Sequence, residues 1–398
     1  METQVSTSER LIPILDSFAE RFHKNFLGQH RLASPLGAWC LLAYIAINDD
    51  NPSPKVTESL GCSPAEAQEI LAQLLKEQPE VVSLAVKSWL NPSIVNLASV
   101  SSWSKEAQEV ASPIEDIPTQ EELNAWARAE SKRLITQFPV QIKPDLFLAL
   151  FANLVGAEAN WDEPYKAVSD DPMSSAWQVS NFLVSNKETS SSRIHQDETH
   201  GLFGVHRKFA KDGEFSVYSV MALDESVSEE ATMAVARKIA AGAKQSFSAQ
   251  DLPLGESALG SLSVTAQKAP APQEIFTTFL PSWQSSNSFN LLDTDLGFLE
   301  GLERFESMGQ KVGISLEAKQ GVEARYSAEG FKAGSRTFGI SNLRCRPVED
   351  FEIRHVTMRF NRPYAVVASV DYVNEAWNRV PIFDGWVSEA SEIQIHRR

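Results

Sequence analysis

Three side chains near the C-terminus have the types and spacing for chemistry at an exposed peptide bond. Arg344, Cys345 and Arg346 lie in the stretch 331–347, FKAGSRTFGISNLRCRP, which is rich in small and polar residues and has no helical period. Two guanidinium neighbours favour the thiolate of Cys345, so this residue is either a reactive thiol in an exposed loop or an ordinary loop cysteine. The arginines either mark a bond for a protease with a carboxylate in its specificity pocket, or only keep the loop soluble.

No catalytic or metal-binding motif accompanies this stretch. The sequence lacks G-x-S-x-G, G-x-x-x-x-G-K-S/T and G-x-G-x-x-G, and its seven histidines form no H-E-x-x-H site. Cys40, Cys62 and Cys345 have no C-x-x-C spacing, so neither a disulfide framework nor a zinc site is expected. We therefore expect no enzyme activity, no metal and no cofactor. A Ser-His-Asp arrangement of residues distant in sequence stays open.

Strand-like runs flank the polar stretch on both sides. Residues 311–327, KVGISLEAKQGVEARYS, contain Val, Ile and Tyr with partial alternation and predict a strand before it. Three further runs, at 354–360, 364–370 and 380–387, predict strands after it. The polar stretch is therefore expected to be a loop between two strands of the fold.

The rest of the chain predicts helices first and most strands later. Amphipathic helices with N-terminal caps are expected at 7–27, from Ser63, from Thr119 and at 225–243. The turn Lys211-Asp212-Gly213 predicts a hairpin between GLFGVHRKF and EFSVYSVMAL. The tract 244–274, rich in Ser, Ala, Pro and Gln, is expected to be irregular. With no internal repeat, these elements predict one α+β domain over residues 1–398.

Composition limits the classes of partner. With 398 residues, of which 43% are hydrophobic and 22% charged, the chain can bury a large core. Its net charge of −16 argues against nucleic-acid binding, because phosphates require clustered Lys and Arg. No apolar run approaches the roughly 18–20 residues that span a membrane, so no membrane partner is expected. The N-terminus METQVSTSERLIPILDSF lacks the pattern of a signal peptide, which favours a cytoplasmic location.

Short motifs along the chain resemble those of one family. They read S-P-L-G after the first helix, N-x-W in the third, an Asn followed by W-x-x-P-Y, then F-L-P-x-W and F-N-R-P-Y. The residues that carry them are Ser34, Pro35, Asn124, Trp126, Asn153, Trp161, Pro281, Asn361 and Pro363. In this order they resemble the serpins, the serine protease inhibitor superfamily, of the bacterial type. Three positions depart from the family pattern, namely Gly37 for Ser, Ser131 for Thr and Arg133 for Gly.

The resemblance implies a fold and a mechanism. It implies a single domain with a large central sheet, further sheets, a helical N-terminal part and an exposed reactive-centre loop at about 330–347. A target serine protease, or alternatively a cysteine protease, would cut the loop between Arg344 and Cys345, since Pro347 blocks cleavage after Arg346. The loop would then insert into the central sheet as a new strand. The resemblance also implies a monomer, and makes an extracellular location the alternative.

The hinge of that loop departs from the inhibitory pattern. The hinge residues implied by the resemblance are Glu329, Gly330, Phe331, Lys332, Ala333, Gly334 and Ser335. Strand alternation from Gly330 would turn Phe331, Ala333 and Ser335 toward the core. Inhibitory relatives carry a small residue at the position of Phe331, and a bulky ring there would slow insertion. A protease inhibitor is therefore the first hypothesis, and a non-inhibitory binding or carrier protein of the same fold is the alternative.

Overall fold

The structure is a computed structural model that combines helices with three β-sheets, which confirms the predicted α+β class. It describes residues 5–91, 101–111, 114–138, 149–185, 191–269, 271–306, 318–332, 351–371 and 373–392. No helix within these ranges has the length and apolar character that a membrane crossing needs.

Side-chain caps fix where several helices begin. The side chains of Ser6, Ser63 and Thr119 each accept a hydrogen bond from the backbone N–H three residues later. The Glu side chain at that later position accepts one from the backbone N–H of the capping residue, as the capping motifs predict. The helices are α1 (Thr7–His23), α2 (Pro35–Ile45), α3 (Pro54–Leu60), α4 (Pro64–Lys76), α5 (Ser101–Val110), α6 (Gln120–Glu130), α7 (Asp171–Trp177), α8 (Glu229–Ala240) and α9 (Phe298–Glu306).

The first sheet is antiparallel throughout and holds the predicted hairpin. From edge to edge it contains β1 (Arg31–Ala33), β19 (Pro381–Val387), β18 (Tyr364–Val370), β9 (Phe215–Ala222), β8 (Gly201–Phe209), β7 (Ser192–Asp197) and β10 (Ser246–Phe247). The turn between β8 and β9 contains Gly213 at φ +78°, a left-handed conformation that glycine adopts without strain. Strands β18 and β19 confirm the predictions at 364–370 and 380–387.

The second sheet corrects one sequence-based prediction. It contains β11 (Gly255–Glu256), β12 (Leu262–Ala269), β17 (Phe351–Arg359), β13 (Ile275–Leu280), β6 (Phe182–Ser185) and β5 (Lys166–Val168). The tract 244–274 was expected to be irregular, yet β12 pairs with β17 along its whole length. Leu262, Val264 and Ala266 of β12 alternate with polar residues, so a short strand pattern is present within a tract whose overall composition indicates a loop.

The third sheet carries the region that precedes the polar loop. Its order is β14 (Trp283–Asn290), β15 (Lys319–Tyr326), β16 (Gly330–Lys332), β4 (Ala149–Asn160), β2 (Val82–Leu90) and β3 (Glu115–Asp116). Strand β15 confirms the prediction at 311–327 for its described part, and 311–317 lie outside the described residues. The short β16 pairs antiparallel with β15 on one side and with β4 on the other.

Helix α2 forms the centre of the main core. All its residues from Pro35 to Ile45 are buried, and it contacts β4 of the third sheet and β19 of the first. A helix that is apolar on every side can be stable only where neighbours cover its whole circumference. The third and first sheets therefore meet around α2, and its N-terminus lies under the strands next to β16.

Candidate hinge and insertion site

A tight hairpin joins β15 to β16. Tyr326 and Phe331 are opposite each other in the register, and the Ser327 N–H donates to the Gly330 carbonyl at 3.0 Å. The turn residues Ala328 and Glu329 are held in place because their carbonyls accept hydrogen bonds from the N–H groups of Tyr165 (2.8 Å) and Trp161 (3.1 Å). The chain therefore reverses direction at Glu329 and enters the third sheet immediately afterwards.

Gly330 allows β16 to lie close to β4. A Cβ atom at this position would lie 2.5 Å from the main-chain oxygen of Ala159, a distance that real Cβ atoms essentially never show. Gly330 and Phe331 pair with Asn160 and Ala159 of β4. Any larger residue at 330 would therefore push β16 out of the sheet.

Phe331 fills an aromatic socket. Its side chain is 1% exposed. The centroid of the Phe331 ring lies 5.6 Å from that of Phe215, 6.2 Å from that of Phe383 and 6.4 Å from that of Trp283. The Trp283 ring in turn stacks on the Tyr326 ring, with 5.7 Å between their centroids. Burial of a phenylalanine side chain stabilises a fold by about 1.5–3 kcal/mol relative to exposure. We call the rings of Phe215, Trp283, Tyr326 and Phe383 the aromatic socket.

The socket corrects one expectation about the hinge. Exposure was expected to begin at about Gly330, but Gly330 and Phe331 are both buried and belong to a strand. The inward direction of Phe331 that alternation predicts is confirmed. The prediction that a bulky ring at this position slows insertion of the loop stays a prediction. Ala333, Gly334, Ser335, Arg344 and Cys345 lie outside the described residues.

A gap between β4 and β15 continues the line of β16. Beyond Lys332, no described strand lies between them, and a small cavity opens there. Its walls include the small residues Gly156 and Ala157 of β4 and Ala324 of β15. A strand that extended β16 would meet small side chains on both sides, which leaves room for its own.

Leu134 covers this gap from outside the sheet. It follows α6 and lines the cavity together with Ile135. A Cβ atom on Gly156 would lie 2.9 Å from the Leu134 Cδ1 atom, so the absence of a side chain at Gly156 makes the contact possible. A strand that entered the gap at this level would have to displace Leu134.

The N-terminus of α2 connects to both strands that border the gap. The Gln320 side chain on β15 accepts from the Ser34 N–H at 3.0 Å and donates to the Ser34 carbonyl at 2.8 Å. On the β4 side, a Cβ on Gly37 would lie 2.5 Å from Asn153 Nδ2. Close packing against Asn153 therefore explains why glycine replaces the usual second serine of this motif.

The other motif residues fix segments around the site. Asn124 Oδ1 accepts from the Phe138 N–H at 2.9 Å, and so ties the segment that contains Leu134 to α6. Trp161 Nε1 donates to the Ser327 carbonyl at 3.0 Å, next to the hinge turn. The remaining residues lie as follows: Ser34 caps α2 ahead of Pro35, Trp126 packs edge-on against Trp89, Pro281 lies between β13 and β14, and Asn361 and Pro363 lie between β17 and β18.

A buried hydrogen-bond network reaches the socket from the first sheet. The Tyr165 hydroxyl bonds to Tyr326 and to His206 Nε2 (2.7 Å), and His206 Nδ1 bonds to the Ser192 hydroxyl (2.8 Å). Burial, with the nearby Lys208 charge, lowers the pKa of His206 to about 3. The imidazole is therefore neutral at ordinary pH, and it connects β8 to the strand that ends in the hinge.

A second buried histidine lies under the first sheet. His23 Nδ1 accepts from Arg31 Nε at 3.0 Å, so its Nε2–H donates to Asp384 at 2.7 Å. Burial lowers the pKa of His23, and the charges of Arg31 and Arg237 act in the same direction against the opposing effect of Asp384. This cluster joins α1 to β19 and contains no group that is open to a substrate.

The described cysteines have the properties of structural residues. Cys40 is fully buried in α2, and burial raises the pKa of its thiol well above the usual range. Burial also raises the pKa of Cys62 to about 11. In the described part of the chain, no group of three His, Cys, Asp or Glu side chains could hold a metal ion.

Sequence reasoning missed the residues that complete the site. Phe215, Trp283 and Phe383 come from three distant segments, and no local pattern indicates that they converge on Phe331. Leu134 lies after the end of α6 at Glu130 and covers the gap, a position that no local pattern indicates. The sequence offered one indication that this segment is unusual. Arg133, next to Leu134, stands where the motif that contains Asn124 and Trp126 has a glycine.

Comparison with known proteins identifies the architecture. No family model matches the sequence, and no curated protein matches it. Among solved structures, the thermophilic serpin tengpin in its native state has a TM-score of 0.63 at 17% identity over 98% of this chain and 96% of its own. Human thyroxine-binding globulin with bound hormone scores 0.63 at 12% identity over 97% and 100%. Serpin48 of the insect Tenebrio molitor scores 0.60 at 14% identity over 98% and 100%. The chain has the serpin fold.

Proposed function

We propose that the protein inhibits proteases by cleavage of its loop and insertion of that loop into the third sheet. The observation that carries this proposal is the position of β16, where Gly330 and Phe331 already lie between β4 and β15. The gap that continues from β16 gives the following residues a place in the same sheet. The loop therefore does not need to find its entry point after cleavage.

The chemical step belongs to the protease. Its serine or cysteine nucleophile attacks the carbonyl carbon of Arg344, the peptide bond to Cys345 breaks, and the amino group of Cys345 leaves with a proton from the protease's general base. Arg344 is then bound to the protease as an acyl-enzyme. The inhibitor contributes no catalytic residue, so no enzyme activity of its own is part of the proposal.

Insertion after cleavage supplies the free energy. A strand between β4 and β15 would satisfy backbone N–H and C=O groups of both neighbours along the gap. While the loop is uncut, it cannot insert, and the chain stays in an arrangement of higher free energy than the inserted one. The uncut form is therefore kinetically stable. The attached protease would be moved with the loop before water hydrolyses the acyl bond.

Specificity follows from Arg344. A guanidinium before the cleaved bond suits a trypsin-like protease, whose pocket carboxylate forms a charge-assisted hydrogen bond with it. The partner is therefore a trypsin-like serine protease, and the inhibitor acts as a monomer. A cysteine protease that accepts arginine is the alternative target.

A binding or carrier protein of the same fold is the second candidate. The similarity to thyroxine-binding globulin shows that this fold also occurs in a protein whose structure contains a bound hormone. In this chain, an open cleft of about 710 Å³ on the outer side of β14 and β15 is large enough for a small molecule. This candidate requires no loop insertion.

The two candidates differ in one direct experiment. We expect trypsin mixed with the protein to form a covalent complex that survives boiling in detergent, with a mass equal to trypsin plus the chain cut at Arg344. Trypsin whose catalytic serine is replaced by alanine serves as the control and should give no such complex. If active trypsin yields only cut chain and free protease, the chain is a substrate, and the carrier function is favoured.

A further inference from the structure

The open cleft on the outer face of the third sheet has polar walls. It has a volume of about 710 Å³ and lies between the segment after α6, the outward side chains of β14 and β15, and the residues around His30 and Glu389. Cleft volumes of roughly 300–1,000 Å³ are typical of small-molecule sites. The cleft is separate from the aromatic socket, although Leu134, Glu323 and Ala324 line both the cleft and the gap.

Four charged side chains of the cleft have no ionic partner among the described residues. Arg133 and Arg325 supply the positive charges, and Glu323 and Glu389 the negative ones. None of the four side chains makes a hydrogen bond or ion pair within the described part of the chain. In contrast, both nitrogens of His30 are used: Nε2 donates to the Gln284 carbonyl, and Nδ1 accepts from the N–H groups of Ser388 and Glu389.

The backbone at Arg133 is strained. Helix α6 ends with the Lys132 N–H bonded to the Ala129 carbonyl (3.3 Å) and the Arg133 N–H bonded to the Arg128 carbonyl (2.8 Å). This ending places Lys132 at φ +51° and Arg133 at φ +71°, where glycine is preferred. An arginine at such a position, with its guanidinium on a cleft, is a candidate for function rather than for stability.

We propose that this cleft binds a zwitterionic ligand, an amino acid or a short peptide. A simple anion would be attracted to Arg133 and Arg325 but repelled by Glu323 and Glu389, and a simple cation would meet the opposite conflict. A ligand with both a carboxylate and an ammonium group can pair with one residue of each sign. Gln284, which is opposite Arg325 in the register of β14 and β15, adds a side-chain amide group for a peptide bond.

Binding would also favour the arrangement in which Leu134 covers the gap and no strand has entered it. This consequence rests on the proposed inhibitory function. Leu134 lines both the gap and the cleft. A ligand between Arg133 and β15 therefore holds Leu134 in its position over the gap. A ligand that binds the closed arrangement better than the open one shifts the population toward it. Binding itself does not depend on inhibition, so the test below can fail or succeed independently of the trypsin experiment.

The test uses glycine peptides as probes. We expect diglycine, triglycine or tetraglycine to give saturable heat in calorimetric titrations up to about 10 mM, a range that detects millimolar dissociation constants. N-acetyl-triglycine lacks the ammonium group and triglycine amide lacks the carboxylate, so each should bind at least about tenfold more weakly than triglycine. No heat from any of the three free peptides, or equal binding by the blocked ones, overturns the proposal.

Two glycine substitutions give a matched pair. Arg133→Gly removes the guanidinium and relieves the strain, so it should keep the parent thermal midpoint or raise it while weakening peptide binding at least about tenfold. Lys132→Gly relieves the same kind of strain next to the cleft and should leave binding unchanged. Arg325→Gln provides a second loss of charge, from the opposite wall, and should also weaken binding. Parent-like binding by both Arg133→Gly and Arg325→Gln would refute the site.

Discussion

Phe331 lies directly opposite Tyr326 in the hairpin that turns at Ala328 and Glu329, so the first large side chain of the hinge is fixed against the last residue of β15. The Tyr326 hydroxyl is in turn linked through Tyr165 to His206 of the first sheet. The position of the hinge is therefore set by contacts to two sheets at once. This arrangement makes Gly330 and Phe331 part of the core rather than the first part of the loop.

The socket predicts a large loss of stability when the ring is removed. Phe331→Ala should lower the free energy of unfolding by about 3–5 kcal/mol, because it deletes a fully buried aromatic side chain. Urea denaturation followed by tryptophan fluorescence measures the difference. Phe351→Ala is the control, since that ring is 45% exposed on β17 and its removal should cost less than about 1 kcal/mol. Equal losses for the two variants would show that Phe331 is not anchored.

Local patterns were sufficient for much of the fold and for the direction of Phe331. The Ser6–Glu9, Ser63–Glu66 and Thr119–Glu122 caps each depend on residues three apart, so the sequence alone reveals them. Alternation along a strand likewise predicts that Phe331 points inward once Gly330 begins the strand. These features need no knowledge of distant contacts.

Contacts between distant segments could not be predicted in this way. The strand β12 pairs with β17, almost a hundred residues later, and the Ser, Ala, Pro and Gln content of the surrounding tract hides the short alternation of Leu262, Val264 and Ala266 with polar residues. The socket needs Phe215, Trp283 and Phe383 to converge, and no local pattern indicates that the ring of Phe331 is already buried among them. Arg133 was visible only as an exception to a motif, because its left-handed backbone follows from how α6 ends.

The buried histidines predict that acid destabilises the fold. Because the folded-state pKa of His206, about 3, lies below the ordinary histidine value of 6.5, the unfolded chain binds a proton that the folded chain does not. Stability is therefore fully present above about pH 6.5 and falls as pH decreases toward 3, by up to about 1.4 kcal/mol per pH unit for this histidine. His23, whose pKa is also lowered, acts in the same direction.

Unfolding free energies measured at intervals between pH 8 and pH 4 test this dependence. His206→Gln should be less stable than the parent at pH 8 but should have a shallower decline with acid, because the titrating group is gone. Tyr165→Phe should lose stability at every pH and keep the slope, since burial is the main cause of the lowered pKa of His206. A parent-like slope in His206→Gln would contradict the assignment.

Arg344 predicts where a trypsin-like protease cuts and whether it is trapped. Arg344→Ala should abolish the detergent-stable complex with trypsin. It should change the free energy of unfolding by less than about 0.5 kcal/mol, as expected for a position in the predicted loop. Arg346→Ala should still form the complex, because Pro347 disfavours cleavage after Arg346. Mass spectrometry of the cut chain locates the bond directly, and a cut after any residue other than Arg344 would shift the whole register of the loop.

The alternation that begins at Phe331 predicts which loop residues decide insertion. Continued along the loop, it turns Ser335 toward the core and Gly334 outward. After cleavage of the parent chain, we expect the thermal midpoint to rise, because the inserted strand fills the gap between β4 and β15. Ser335→Arg should prevent this rise, since insertion would bury an unpaired charge at a cost of several kcal/mol. Gly334→Arg places the same side chain one residue earlier, on the outer face, and should retain the rise. Calorimetric scans of cut and uncut protein measure all three. A rise in both variants, or in neither while the parent rises, would show that the loop does not follow the register set by Phe331.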